Sequence, residues 1–128
     1  MGRQKKKKAE PDNNPRFRIK LHIGEDTIGP GKIELLRFID QEGGISAAAR
    51  RMNIPFRRAW HLIETINLAL GEPVVKTAVG GSGGGSAKLT QLGKDLIAGY
   101  DSMLREIEPS TKPFLHWIEQ QKGATSSN

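Results

Sequence analysis

The 128-residue chain contains no cysteine. That absence excludes a disulfide framework and any thiolate-held metal. It also lacks long apolar runs, so no segment reads as a membrane-spanning helix. The basic N-terminus is not followed by the apolar stretch that a secretory leader requires. The three histidines lie on separate segments, with no His-x-x-x-His pair and no carboxylates at ligand spacing. Ser46 and Ser86 sit in no recognisable nucleophile context. These absences argue against an enzyme and against a metal site or other cofactor. They leave one soluble, cytoplasmic domain, large enough to fold around its own core.

Charge is present, but it is unevenly placed. The net charge is +6, and Arg3, Lys5, Lys6, Lys7 and Lys8 hold five of the 20 basic residues. The rest of the chain is nearly balanced. Residues 1–15 are polar and proline-bearing, cannot bury apolar area, and read as a disordered basic arm. Such an arm attracts any polyanion, DNA included, and serves equally well as a solubilising tail.

From residue 16 the pattern becomes structural. Phe17, Ile19, Leu21 and Ile23 alternate with Arg16, Arg18, Lys20 and His22, the period of a strand with one buried face. Pro30 opens a helix whose stripe is Ile33, Leu35, Leu36, Phe38 and Ile39, ended by Gly43 and Gly44. Ser46 is suited to cap a second helix over residues 46–52, where three alanines permit close packing. Asn53 and Ile54 make a short turn. Pro55 then starts a third helix with Ala59, Ile63, Ile66 and Leu70 on one face, and Gly71 ends it. Trp60, beside Ala59, is expected in the core. Residues 74–79 and 87–90 read as two strands joined by a glycine-serine tract. Thr90 caps a fourth helix striped by Leu92, Leu96, Tyr100, Met103 and Ile107. Pro109 is expected to interrupt it, with Ser110 or Thr111 capping a final helical piece. The domain plan is an arm at 1–15, a core domain at 16–108, a helical extension at 109–121 and a loose tail at 122–128.

Three helices followed by a hairpin and another helix form a winged helix-turn-helix. The fold is mostly α with a small antiparallel sheet. In such a fold the second helix of the pair enters the DNA major groove by its N-terminal residues. Here those are Phe56, Arg57, Arg58 and His61. Arginine bonds a guanine edge through two parallel hydrogen bonds. Phe56 reads either as a plug between helices or as an apolar contact to a thymine methyl. Arg50 and Arg51 are placed to meet phosphates. The same charges on a single helix would read as a solvated face; four arginines bracketing the turn favour DNA.

The tract at 80–86 admits three readings. A phosphate-cradling P-loop fails, because no Gly-Lys-Ser or Gly-Lys-Thr closes it. A flexible linker matches its composition. A wing tip matches its flanking strands, and lets backbone and small hydroxyls approach a phosphate. In the wing reading Ser82, Ser86, Lys76 and Lys88 join Ser46, Arg50 and Arg51 as phosphate contacts.

Gly44-Ile45-Ser46-Ala47-Ala48-Ala49, then Phe56-Arg57-Arg58-Ala59-Trp60, Ile63 and Asn67, resemble the helix-turn-helix of the ModE family of molybdate-responsive regulators. The tract from Gly80 running into Leu89-Thr90 and Gly93 resembles their glycine-rich wing, which argues against a linker. The match spans roughly residues 19–107. LysR-type regulators resemble the chain more distantly. The resemblance implies a homodimeric bacterial transcription regulator that binds an inverted repeat in double-stranded DNA. It assigns Leu92, Leu96, Tyr100, Met103 and Ile107 to the dimer interface; the same stripe packed within its own subunit is the other reading. ModE regulators that sense molybdate carry further oxyanion-binding domains. This sequence stops before one would follow, so no molybdate site is expected within it, whether it stands alone or is a fragment. The alternative function is a winged-helix protein-interaction module, or a regulator served by a separate sensor partner.

Overall fold

A computed structural model describes residues 14–79 and 85–126. These fall into two compact units, one of residues 18–106 and one holding residues 14–17 with 107–126.

The larger unit opens with a hairpin. Strand β1 (Leu21–Ile23) pairs antiparallel with β2 (Asp26–Ile28), Leu21 opposite Ile28 and Ile23 opposite Asp26. The sequence pattern predicts one long strand here. Only its last three residues pair, because Gly24 turns the chain at φ 61. A glycine at the first position of a two-residue loop is the signature of such a turn. The alternation nevertheless survives upstream: Phe17, Ile19 and Leu21 are half-buried, while Arg16, Arg18 and Lys20 are exposed.

Helices α1 (Pro30–Glu42), α2 (Ile45–Met52) and α3 (Phe56–Leu70) follow. Gly43 and Gly71 end the first and third at φ 79 and 84, their amides returning to Ile39 and Asn67 carbonyls. Ser46 does not cap α2. The helix begins one residue earlier, at Ile45, with Gly44 as its N-cap, so the Ser46 hydroxyl sits in the first turn instead. Asn53 turns the chain between α2 and α3 at φ 60, a left-handed conformation that asparagine tolerates better than most residues.

Strands β3 (Val75–Ala78) and β4 (Ser86–Leu89) form the wing, a second two-stranded antiparallel sheet with Val75 opposite Leu89 and Lys76 opposite Lys88. Residues 80–84, including Ser82, lie outside the described residues. The core gathers Ile28, Ile33, Leu35, Leu36, Ile39, Ala59, Ile63, Ile66 and Val74, all 2% exposed or less. The three helices thus share one interior with the base of the wing.

Val74 organises the junction after the wing. Its amide donates to Asn67 Oδ1 at 2.9 Å, and its carbonyl accepts the Thr90 amide at 2.9 Å. Thr90 Oγ1 donates to the Pro73 carbonyl and accepts the Gly93 amide, capping the next helix as its sequence predicts. A Cβ on Gly93 would lie 2.4 Å from the Val74 oxygen. Asn67, Thr90 and Gly93 are therefore structural: they lock helix, wing and following helix together.

Helix α4 (Gln91–Ser126) contains Pro109 and Pro113. The predicted interruption at Pro109 does not occur, and Ser110 and Thr111 start no new helix. Their hydroxyls instead donate to the Ile107 and Glu108 carbonyls at 2.7 and 2.8 Å. The acceptors that the prolines leave without a helical donor belong to Arg105 and Pro109, both exposed, where water can serve them. The helix also continues past Lys122, where a loose tail is predicted.

Candidate nucleic-acid interface

The helix-turn-helix consists of α2, the turn at Asn53 and α3. Phe56, Arg57, Arg58 and His61 occupy the first two turns of α3 and are all exposed. Arg57 and His61 are one turn apart. The opposite face, Ala59, Ile63 and Ile66, is buried, so the core presents this end of α3 outward.

Trp60 departs from its predicted place. It is 39% exposed, and with Phe56, 51% exposed, it rims a groove of about 750 Å³. The groove runs between the N-terminal ends of α2 and α3 and the inner side of the wing, where Thr77, Val79 and Ser86 line it. Trp60 follows Ala59 in sequence, but one residue is about 100° around a helix. That step carries the indole off the buried face. Phe56 likewise rims the groove; the plug reading has no support in its exposure.

The wing is held to the helices by backbone. The Ala87 amide donates to the Gly43 carbonyl at 2.9 Å. This bond lets the α1–α2 turn act as a neighbour to β4, and it sets the wing beside α2. Ser46 and Arg50 on α2 line the same groove.

The predicted phosphate contacts fall into two groups. Among the described residues, Arg50, Lys76 and Lys88 are exposed and take part in no ion pair, as are Arg57 and Arg58. Lys76 and Lys88 stand directly opposite in the β-ladder, a like-charge pairing that costs stability unless an anion lies near. Arg51 is differently engaged. Its guanidinium bonds Glu42 at 2.5 Å and stacks 4.3 Å over the Phe38 ring. It links the end of α2 to α1, and it neutralises the one carboxylate among the groove's described lining residues.

The predicted dimer stripe divides. Tyr100 is 4% exposed, and its hydroxyl donates to the Ile19 carbonyl at 2.7 Å. Burial raises its pKa above the usual tyrosine value. Leu92, Leu96 and Met103 are half-buried and pack against the core of the same subunit. Ile107 belongs to the smaller unit. In that unit Phe114 and Trp117 are 63% and 53% exposed and stack at 5.7 Å. Among the described residues no group of three His, Cys, Asp or Glu side chains could hold a metal ion, and no helix is long and apolar enough to cross a membrane.

No family model matches the chain. Individual proteins do. It is 38% identical over 77 residues to the molybdenum-pterin-binding protein MopA of Rhodobacter capsulatus, covering 60% of this chain and 29% of that one. It is 33% identical over 96 residues to the molybdenum transport protein ModE of Azotobacter vinelandii, covering 73% and 35%. It is 39% identical over 79 residues to the DNA-binding transcriptional dual regulator ModE of Escherichia coli, covering 62% and 30%. The chain thus spans about a third of the length of these relatives. Among solved structures, a LysR family transcriptional regulator superposes with a TM-score of 0.52 at 18% identity, over 80% of this chain and 30% of that one. That likeness concerns the fold. Over its matched residues this chain is a homologue of the ModE and Mop proteins, built as a winged helix-turn-helix.

Proposed function

We propose that this chain is the DNA-binding part of a ModE-like transcription regulator, that it acts in the cytoplasm, and that it reads an inverted repeat as a homodimer without catalysing a reaction. The observation that carries this reading is the placement of α3. Its N-terminal end projects Arg57, Arg58 and His61 outward beside a wing that carries Lys76 and Lys88. The helix diameter suits the major groove, and an arginine there recognises guanine. Arg50, Lys76 and Lys88 supply phosphate contacts, which orient the domain without reading sequence. Ser46 and Ser86 add hydroxyl donors along the same groove. Homology to a protein named a DNA-binding transcriptional dual regulator supports the same assignment.

The homodimer rests on apolar surface. The stacked Phe114 and Trp117 are large and exposed, an apolar pair of the kind that a subunit contact covers. A second copy is the partner that an inverted repeat requires.

The test is selection of bound duplexes from a random DNA pool, followed by sequencing. A two-fold symmetric motif with half-sites about 10 base pairs apart, or a multiple of that, is the expected result. Recovery of no motif, with binding that vanishes in moderate salt, would leave only nonspecific attraction and would refute the assignment.

A further inference from the structure

The outer surface of α3 carries two adjoining stripes of different chemistry. Residues four apart stack on one helix face. Arg57 and His61 form the polar stripe, and Phe56 and Trp60 form the apolar one. The apolar stripe rims the groove toward the wing. A tryptophan 39% exposed beside a phenylalanine 51% exposed is an unusual investment at the end of a helix whose other face closes the core.

The surroundings say what the groove fits. Glu42, the carboxylate among its described lining residues, is paired with Arg51. Arg50 lines it, and Arg57 lies one residue from Phe56, about 100° round the helix, on the adjoining stripe. An apolar strip beside basic groups complements a polyanion that also displays an apolar group. In the DNA major groove that group is the 5-methyl of thymine.

We infer that Phe56 and Trp60 are specificity-determining residues that receive a thymine 5-methyl group, while Arg57 on the adjoining stripe reads guanine. The inference rests on α3 being the recognition helix and adds a second base to what it reads. Arginine alone distinguishes guanine; the aromatic pair distinguishes thymine from cytosine, whose edge has no methyl. The half-site should therefore hold guanine and thymine close together on the surface that α3 faces.

The experiment uses the selected operator duplex and a series in which each thymine in turn is replaced by deoxyuridine. The replacement removes one methyl and leaves base pairing intact. The full chain should lose about fourfold in affinity at one or two positions per half-site, the cost of leaving one methyl unburied, with an unchanged salt slope. Trp60→Ala should bind thymine and deoxyuridine duplexes equally at those positions. Because the wild-type protein carries the substitution series, the result does not depend on how the variant folds. Indifference to every replacement, on a duplex that is still bound selectively, overturns the aromatic assignment and leaves the recognition helix standing. Selective binding to no duplex overturns both. A second readout compares the tryptophan fluorescence of the wild-type chain with that of Trp60→Phe, so that Trp117 stays in place and the difference in signal reports Trp60. Operator should shield its fluorescence from acrylamide, and equal quenching with and without operator sinks the inference.

Discussion

Arg37 grips Asp101 with both arms of its guanidinium, Nη1 to Oδ2 at 2.7 Å and Nη2 to Oδ1 at 2.5 Å, joining α1 to α4 across 64 positions of sequence. The two side chains are about two-thirds covered. The Arg37 hydrogen bonds hold the Asp101 carboxyl below its usual pKa, and Asp101 in turn raises that of Arg37. A fork-to-fork pair of this kind fixes orientation as well as distance.

The pair gives a pH dependence with a definite sign. A carboxylate whose folded pKa is depressed contributes stability above its unfolded pKa of about 3.9, and loses it as pH falls through the folded value. Asp101→Asn should cost about 1 kcal/mol at neutral pH. It should also flatten the loss of stability below about pH 4. Urea unfolding from pH 3 to 7 checks this; parallel curves for the two proteins would show that the pair is not the source.

Two glycines of α4 should behave oppositely. A Cβ on Gly93 meets the Val74 carbonyl, whereas one on Gly99 meets nothing within 4 Å. Gly93→Ala should destabilise by about 1–3 kcal/mol through overpacking. Gly99→Ala should stabilise by about 0.5–1 kcal/mol, because alanine loses less backbone freedom in a helix. Thermal unfolding of both variants decides, and equal shifts in one direction would contradict the packing described.

Asn67 is expected to matter for folding and not for base reading. Removing its Oδ1 strands the amide of Val74, a residue 0% exposed. Asn67→Ala should cost about 1–3 kcal/mol, the penalty of an unsatisfied buried donor. At a temperature where the variant stays folded, its preferred DNA sequence should match the parent's. A changed preference in the random-pool selection would give Asn67 a recognition role instead.

Arginine and lysine variants should fail in different ways. Arg57→Ala should weaken cognate binding by about 1–3 kcal/mol and relax discrimination at one base pair. Lys76→Ala and Lys88→Ala should weaken cognate and scrambled duplexes alike, with the salt slope shallower by about 0.9 for each phosphate no longer neutralised. Equal losses for Arg57→Ala on cognate and scrambled duplexes would remove it from base reading.

Much of this architecture is visible in local pattern. Gly43 and Gly71 end helices because the left-handed backbone at those positions suits glycine. Asn53 and the period of Ala59, Ile63 and Ile66 place the turn and the buried face of α3. The hairpin of β1 and β2 had a signal too, Gly24 directly after the alternating run, which counting apolar residues passes over. The prolines mislead for a different reason. Proline costs helix stability, but an exposed helix can let water take the carbonyls it orphans, so Pro109 need not end α4.

The sequence by itself determined the order of the helices, the glycine ends of α1 and α3 and the basic, winged character of the chain, because these follow from periodicity and from the backbone demands of single residues. Tertiary structure decided which of those side chains remain available. Arg51 and Arg50 are adjacent and chemically alike, yet only Arg51 finds Glu42 and Phe38 across α1. Helix spacing turns Trp60 off the buried face, but the wing, held by Ala87 to Gly43, is what stands beside α2 and makes the groove that Trp60 rims. Tyr100 enters the core because the Ile19 carbonyl receives its hydroxyl. Each outcome depends on partners distant in the chain, which one-dimensional spacing does not encode.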